Sequence, residues 1–134
     1  MIVDTSVWVD FFNGHDSAQS ARLHHAISSG EHIALPHLVL TEVLLGIRTE
    51  GQANTVSDLL TAFTVVADLD RDGHVAAARL YRHCRSSGYT IRSTIDCIIA
   101  QMCIRSRLPL LTKDRDFTAI AACCPLELVH VAAQ

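Results

Sequence analysis

Long apolar segments are missing from this sequence of 134 residues. No stretch reaches the ~18 to 20 apolar residues that a helix needs to cross a bilayer. No basic region precedes an apolar segment at the N-terminus, as it would in a secretory signal. Linkers, internal repeats and low-complexity tracts are missing too, so we predict one domain over residues 1–134. We therefore expect a soluble cytoplasmic protein with no membrane partner.

The cysteine spacings that are typical of metal sites are also missing. The five cysteines are odd in number and include no Cys-x-x-Cys or cysteine–histidine ligand spacing. They are Cys84, Cys97, Cys103, Cys123 and Cys124. Most lie within apolar helical patterns, so we predict free buried thiols and no zinc site. The eight histidines are scattered, and none forms a recognisable catalytic triad with a serine or cysteine.

Charge is scarce as well. Charged residues make up 19% of the chain and hydrophobic residues 49%, with a net charge of −3. This composition excludes a disordered chain. It also predicts that part of the apolar surface is buried against another chain, which favours a homodimer.

Short apolar runs of strand length alternate with longer helical patterns along the chain. The strand-like runs are 2–4, 33–35, 64–67, 109–112 and 127–131. The helical patterns cover about 5–12, 17–29, 37–48, 53–63, 72–86, 94–106 and 115–122. Such alternation predicts a small α/β fold, with a mostly parallel sheet and helices on both faces.

Acidic residues occur where the predicted strands meet helices. Asp4 ends the first strand, Glu42 lies in the helix after the second, and Asp96 opens an apolar helix. Asp114 and Asp116 follow the fourth strand. Ligands of parallel sheets collect outside the carboxyl ends of the strands. Separate carboxylates that converge there would form a site for a hard cation.

Each acid also has an ordinary structural interpretation. Asp4, Asp114 or Asp116 could cap the helix that follows it. Glu42 has leucine and valine neighbours in sequence, where a carboxylate is costly unless it is paired or binds a cation. Asp96 has similar neighbours, although a position in the first turn of a helix would reduce the cost.

Four blocks that contain these acids resemble the acidic blocks of PIN-domain ribonucleases. The blocks are Ile2-Val3-Asp4-Thr5-Ser6, Thr41-Glu42-Val43 with Gly46 after it, Ser93-Thr94-Ile95-Asp96-Cys97-Ile98-Ile99-Ala100 and Leu111-Thr112-Lys113-Asp114-Arg115-Asp116-Phe117. Their order, their spacing and the chain length are similar to those of VapC toxins from bacterial VapBC toxin–antitoxin modules. The resemblance extends from residue 2 to about residue 117.

This resemblance implies a Rossmann-like PIN domain with about five parallel strands, and an endoribonuclease activity that depends on Mg²⁺ or Mn²⁺. The residues to which it gives catalytic roles are Asp4, Glu42, Asp96, Asp114 and Asp116. Asp4 and Asp96 match the most consistent metal ligands, whereas the relative roles of Asp114 and Asp116 stay open. Carboxylates without histidine or cysteine suit such hard cations. The small hydroxyl residues expected to border the site are Thr5, Ser6 and Thr112.

The resemblance also implies two macromolecular partners. One is an RNA substrate, of the tRNA or rRNA class, whose cleavage inhibits translation and growth. The other is a cognate VapB-type antitoxin that neutralises the activity. Trp8, Phe11 and Phe12 in the first helix are either core residues or, for at least one of them, anchors for an antitoxin segment.

Arginine provides ten of the eleven basic residues, since Lys113 is the only lysine. Arginine is suited to bidentate contacts with phosphate and to stacking on bases. Arg79, Arg82 and Arg85 recur at every third position of a predicted helix, and Arg92 precedes Asp96. They form either a solvated helix face or an electropositive margin that guides RNA to the acids.

Two other functions remain open from the sequence. A PIN nuclease could process RNA outside any toxin–antitoxin module. A phosphatase similar to the haloacid dehalogenases also places an Asp after its first strand, but it needs a second Asp two residues later. The chain has Ser6 there, so this alternative is disfavoured.

Overall fold

The fold is built on a parallel sheet, and the computed structural model describes it over residues 1–131. The strands are β1 (Ile2–Val3), β2 (Ala34–Pro36), β3 (Thr64–Val66) and β4 (Leu110–Leu111). They are hydrogen-bonded in the order β3-β2-β1-β4, and every pair is parallel. The predicted α/β class and parallel sheet are confirmed.

Helices connect successive strands, as parallel pairing requires. Those of residues 1–131 are α1 (Thr5–Asn13), α2 (Ala18–Ser28), α3 (His37–Leu45), α4 (Glu50–Leu60), α5 (Arg71–Ser86), α6 (Thr94–Ser106) and α7 (Arg115–Cys123). All seven lie where a helical pattern was predicted. Among these described residues, none of the helices is both long and apolar enough to span a membrane.

The predicted fifth strand, 127–131, is reduced to a single bridge. Leu128 pairs in parallel with Leu110, and the amide of Val129 donates to the Leu110 carbonyl at 2.8 Å. The sheet therefore has four strands rather than about five. Alternating apolar residues predicted a strand, but pairing along β4 stops because β4 itself has only two residues.

Capping explains the largest difference in helix bounds. The helix predicted over 53–63 begins at Glu50, because the Thr49 hydroxyl accepts a hydrogen bond from the Gln52 amide. It ends at Leu60, before the chain turns into β3. The helix predicted over 37–48 stops at Leu45, and Gly46 follows it.

The core lies between the sheet and the helices. Its fully buried side chains of largest volume include Trp8, Phe117, Ile99, Met102 and Leu111. Strands β1 and β4 are completely buried, which is why their short sequences are continuously apolar rather than alternating. This packing fixes where the chain leaves each strand and so where the acids lie.

Candidate active site

Asp4 lies at the carboxyl ends of the neighbouring strands β1 and β4. β1 and β4 pair in the register Val3 to Leu111, so the residues that follow them are neighbours. The Thr112 hydroxyl donates to Asp4 Oδ2 at 3.0 Å, and the Ser6 hydroxyl donates to the same oxygen at 2.8 Å. The sheet order reverses beside β1, as expected for a ligand site in an open α/β sheet.

Three carboxylates meet beside this edge. Asp96, Asp114 and Asp116 each offer an oxygen, and these three oxygens all lie within 4.8 Å of one another. Asp96 is in the first turn of α6, whereas Asp114 and Asp116 begin α7. Residues far apart in sequence therefore converge, as predicted. We call Asp4, Asp96, Asp114 and Asp116 the acidic cluster.

The electrostatics of the cluster disfavour a fully ionised state. Burial, and then the negative charges of the other acids, raise the pKa of Asp96 to about 7. Burial also raises the pKa of Asp4, although the hydroxyls of Ser6 and Thr112 oppose this effect by hydrogen bonding to the carboxylate. A cation placed among these groups would reverse both shifts, because it stabilises the charged forms.

Glu42 approaches the cluster through a hydroxyl. The Thr5 side chain donates to Glu42 Oε1 at 2.9 Å, which links α3 to the first turn of α1. Glu42 is half-buried and hydrogen-bonded to this hydroxyl, so the carboxylate has a polar partner, as its apolar sequence neighbours lead one to expect. The hydroxyls of Thr5, Ser6 and Thr112 all donate to predicted site acids, as expected of residues that border the site.

Of Asp4 and Asp114, only Asp114 caps a helix with its side chain. Asp114 does cap α7, because its Oδ1 accepts from the Asp116 amide at 2.9 Å. Asp4 occupies the N-cap position of α1 but makes no side-chain cap bond. Its carboxylate is instead held by hydroxyls from two segments, an arrangement that positions the group rather than starting the helix.

Two basic residues form ion pairs that the sequence did not reveal, and one of these pairs includes an acid of the cluster. The Arg92 amide donates to Asp116 Oδ2 at 3.1 Å, and its guanidinium Nε lies 3.4 Å from that oxygen. Lys113 donates to the buried Asp10. Burial acts to raise the pKa of Asp10, but hydrogen bonds from Lys113 and Ser17 and the ammonium charge hold it below its ordinary value. Asp10 lies one turn into α1. Its sequence context is that of an ordinary acid on a helix face, so it gives no sign of this pairing.

The acidic cluster fits a hard divalent cation. Its donor set is carboxylate oxygen, with no imidazole or thiol, as Mg²⁺ or Mn²⁺ prefers. The three convergent carboxylates are Asp96, Asp114 and Asp116. The predicted ligand pair of Asp4 and Asp96 stays a prediction, and the effect of the Asp4 charge on the pKa of Asp96 is in its favour.

The aromatic residues of α1 differ in how deeply they are buried. Trp8 is completely buried and packs on Phe11, Phe12 and Phe63 with ring centroids 5.2 to 5.9 Å apart. It is therefore a core residue, and its candidacy as an antitoxin anchor is wrong. Phe12 is half-buried and lines a surface groove together with residues of α4.

The arginines of α5 all face solvent. Arg82 also lines a cleft of about 320 Å³ with Thr94 and Cys97, which lie on either side of the Asp96 region of α6. Arg79 and Arg85 do not line that cleft. Of the four arginines considered, Arg82 lines a cleft beside the Asp96 region and Arg92 contacts Asp116, so these two keep the interpretation as an electropositive margin.

Comparison with known proteins gives the family and its activity. The model of the PIN domain family matches residues 1–122. The ribonuclease VapC11 of Mycobacterium tuberculosis is 30% identical over 122 residues, covering 90% of this chain and 91% of that protein. A VapC ribonuclease of Mycobacterium bovis matches to the same extent.

Solved structures share the fold at lower identity. VapBC2 of Rickettsia felis, solved with a DNA fragment from its promoter, has a TM-score of 0.75 at 20% identity over 98% of both chains. This likeness places the four strands and the helices of the present chain in the same architecture.

Proposed function

The chain belongs to the PIN-domain family, with VapC ribonucleases among its relatives, and we propose that it is a metal-dependent endoribonuclease. The observation that carries this proposal is the convergence of three carboxylates at one edge of the sheet, next to Asp4. An RNA-cleaving hydrolase needs no side-chain nucleophile if water can be activated at such a site.

Each residue of the site has a role in this proposal. Asp4 and Asp96, with Asp114 or Asp116, would hold Mg²⁺ or Mn²⁺. When bound, the cation supplies positive charge that activates water and stabilises the phosphate during in-line displacement. Thr112 fixes the orientation of the Asp4 carboxylate. Glu42, held by Thr5, is close enough to the cluster to influence the Asp96 charge and would orient the attacking water.

Metal dependence can be tested on end-labelled RNA with the purified chain freed of any antitoxin. Cleavage should occur in Mg²⁺ or Mn²⁺ and be lost when EDTA removes the cation. Ca²⁺ should support little cleavage, because its larger and looser coordination shell does not hold the in-line geometry. Unchanged cleavage in EDTA would contradict the proposed mechanism.

We further propose that this nuclease is a toxin, inhibited by a VapB-type antitoxin. Its relatives include VapC ribonucleases, and the Rickettsia structure is described as a VapBC assembly. The groove beside Phe12 has a volume of about 720 Å³ and carries apolar residues on both sides, with Ile47 and Leu59 among them. Leu59 is 56% exposed, as expected for a residue that a partner covers.

A basic antitoxin side chain would complete the inhibition. The acidic cluster has crowded negative charge, which favours an arginine or lysine when no metal is bound. The segment would then cover the groove and extend to the acids. Expression of the chain alone should stop bacterial growth, and co-expression of its antitoxin should restore it. Growth arrest by an Asp96→Asn variant at equal protein level would instead separate toxicity from RNA cleavage.

The RNA class and the oligomeric state belong to the same proposal. We propose tRNA or rRNA as substrate, because loss of either stops translation. Mapping of cleaved RNA ends after induction would identify the molecule and the site. A homodimer is expected from the high apolar content of the chain. Light scattering would measure its mass in solution.

A further inference from the structure

Three cysteines from two distant segments of the chain, Cys84, Cys123 and Cys124, come together at one end of α5 and α7. The Sγ atom of Cys84 lies 3.0 Å from that of Cys123 and 3.8 Å from that of Cys124. The two adjacent cysteines have their sulfurs 3.9 Å apart. All three are free thiols. The sequence predicted no metal spacing, because ligands from two different helices leave no local motif.

A histidine lies beside two of the three thiols, those of Cys123 and Cys124. His83 Nε2 lies 2.9 Å from the Cys123 carbonyl oxygen. A ligand atom of this imidazole and the sulfurs of Cys123 and Cys124 all lie within 4.8 Å of one another. His83 is exposed, whereas Cys84 is completely buried. The group therefore has a buried side and a side that is open to solvent, through which an ion could enter.

The distances suit a tetrahedral ion with sulfur ligands. Zn–S bonds of about 2.3 Å at tetrahedral angles separate two sulfurs by ~3.8 Å. Two of the three observed separations have this value, and the third must open by less than ~1 Å. The His83 ring would exchange its contact with the Cys123 carbonyl for the ion. Three thiolates and one imidazole form a common structural zinc set.

The surrounding backbone favours a cation over a reactive thiolate. Helix α5 ends at Ser86 and α7 ends at Cys123, so two negative helix ends meet at the thiols. Reactive thiolates are found instead near helix N-termini or cationic groups.

We infer that His83, Cys84, Cys123 and Cys124 form a structural site for Zn²⁺, separate from the acidic cluster. The ion would join the C-terminal ends of α5 and α7. Asp114 and Asp116 are at the other end of α7, about 10 to 14 Å away along the helix axis. The site would therefore fix the helix that carries two of the active-site acids without touching the substrate.

Cobalt provides a direct test, because Co²⁺ occupies thiolate zinc sites and gives a sulfur-to-metal absorption band that carboxylate sites lack. The purified, reduced full-length chain would be titrated with Co²⁺ alone, in an Asp96→Asn background that weakens the acidic cluster. We expect one equivalent to produce the band, and Zn²⁺ to displace it. Zn²⁺ should also raise the unfolding temperature by roughly 5 °C or more.

Two matched variants identify the ligands. Replacing both Cys123 and Cys124 by alanine should abolish the band and the thermal shift. Cys103→Ala removes a buried thiol outside the group and should leave both unchanged. The site is overturned if Co²⁺ gives no such band, or if the band survives the double replacement. A Cys84–Cys123 disulfide in protein isolated without reductant, with no Zn²⁺ bound, would also overturn it in favour of a redox pair.

Discussion

At the scale of single residues, Asp96 has the most unusual environment of the site. It is buried in the first turn of α6 and faces the charges of Asp114, Asp4 and Asp116. Its raised pKa means that the folded protein binds a proton more tightly than the unfolded chain. The free energy of unfolding therefore falls as Asp96 ionises, whereas ionisation of a salt-bridged carboxylate raises it.

The pH dependence of metal-free stability should show this effect. The Asp96 pKa is about 7 in the folded protein and 3.8 ordinarily. Its contribution therefore reduces the free energy of unfolding as pH rises from about 4 to about 7, and the reduction persists above that range. Asp96→Asn should be more stable than wild type by about 2 kcal/mol at pH 8 and similar at pH 4. Urea unfolding in EDTA at both values measures this difference.

Adding Mg²⁺ should reverse this difference in stability between the wild type and Asp96→Asn. Mg²⁺ at pH 8 should stabilise the wild type more than Asp96→Asn, because the cation offsets repulsion that the variant no longer has. Equal stability of the two proteins at pH 8 in EDTA would show that ionised Asp96 does not destabilise the fold.

The orientation of Asp4 can be tested by removing one hydroxyl. Thr112→Val keeps the shape of the side chain but deletes the donor to Asp4 Oδ2 and the acceptor of the Asp114 amide, so both acids lose a contact that positions them. We expect cleavage to fall by roughly tenfold, because an ill-positioned ligand weakens the site without abolishing it. Thr55→Val is a matched control, since the Thr55 hydroxyl bonds only to the Gly51 carbonyl within α4. Equal kcat/KM for the two variants would argue against a positioning role.

At the scale of elements, the sequence predicted the helices better than the short strands. The helical period places α6 and α7 correctly, because each has a regular apolar stripe. The expected strand at 127–131 fails, since two-residue partners cannot support a longer ladder. The two leucines of β4 are buried by the helices packed around them. Such burial depends on tertiary packing, so two residues of sequence do not predict it.

The cleft between α5 and α6 gives a prediction about RNA binding. Arg82 is exposed beside Thr94 and Cys97, near Asp96. Arg82→Gln should raise KM for RNA more than it lowers kcat, and should reduce the salt slope of binding by about one. Arg71→Gln, at the other end of α5, is the control. If the two variants behave alike, Arg82 belongs to a solvated helix face.

The groove between α1 and α4 gives a second prediction at this scale. Leu59→Glu places a charge on an exposed groove residue and should not unfold the chain. It should weaken antitoxin binding at least tenfold, about 1.4 kcal/mol, with RNA cleavage unchanged. Val75→Glu, on α5 and also partly exposed, should bind normally. Antitoxin affinity that is equal for both variants would place the interface elsewhere.

At the scale of the whole molecule, the acidic blocks predicted the site because topology brings strand ends together. Asp4, Asp96 and the α7 acids were all predicted as site residues, and they converge. What the sequence could not predict depends on the packing of distant segments. The Lys113–Asp10 pair, the Arg92 contact with Asp116 and the thiol group of α5 and α7 all join residues at least 24 positions apart.

RNA cleavage by charge-neutral variants tests the central claim most directly. Asp4→Asn and Asp96→Asn should each lose cleavage in Mg²⁺, by about 100-fold or more, while remaining folded and, without metal, as stable as wild type or more so. Asp58→Asn, an exposed acid of α4, should cleave at the wild-type rate. Purified Asp96→Asn, free of wild-type enzyme, that cleaves RNA at the rate of Asp58→Asn would contradict the claim that the acidic cluster is the catalytic centre.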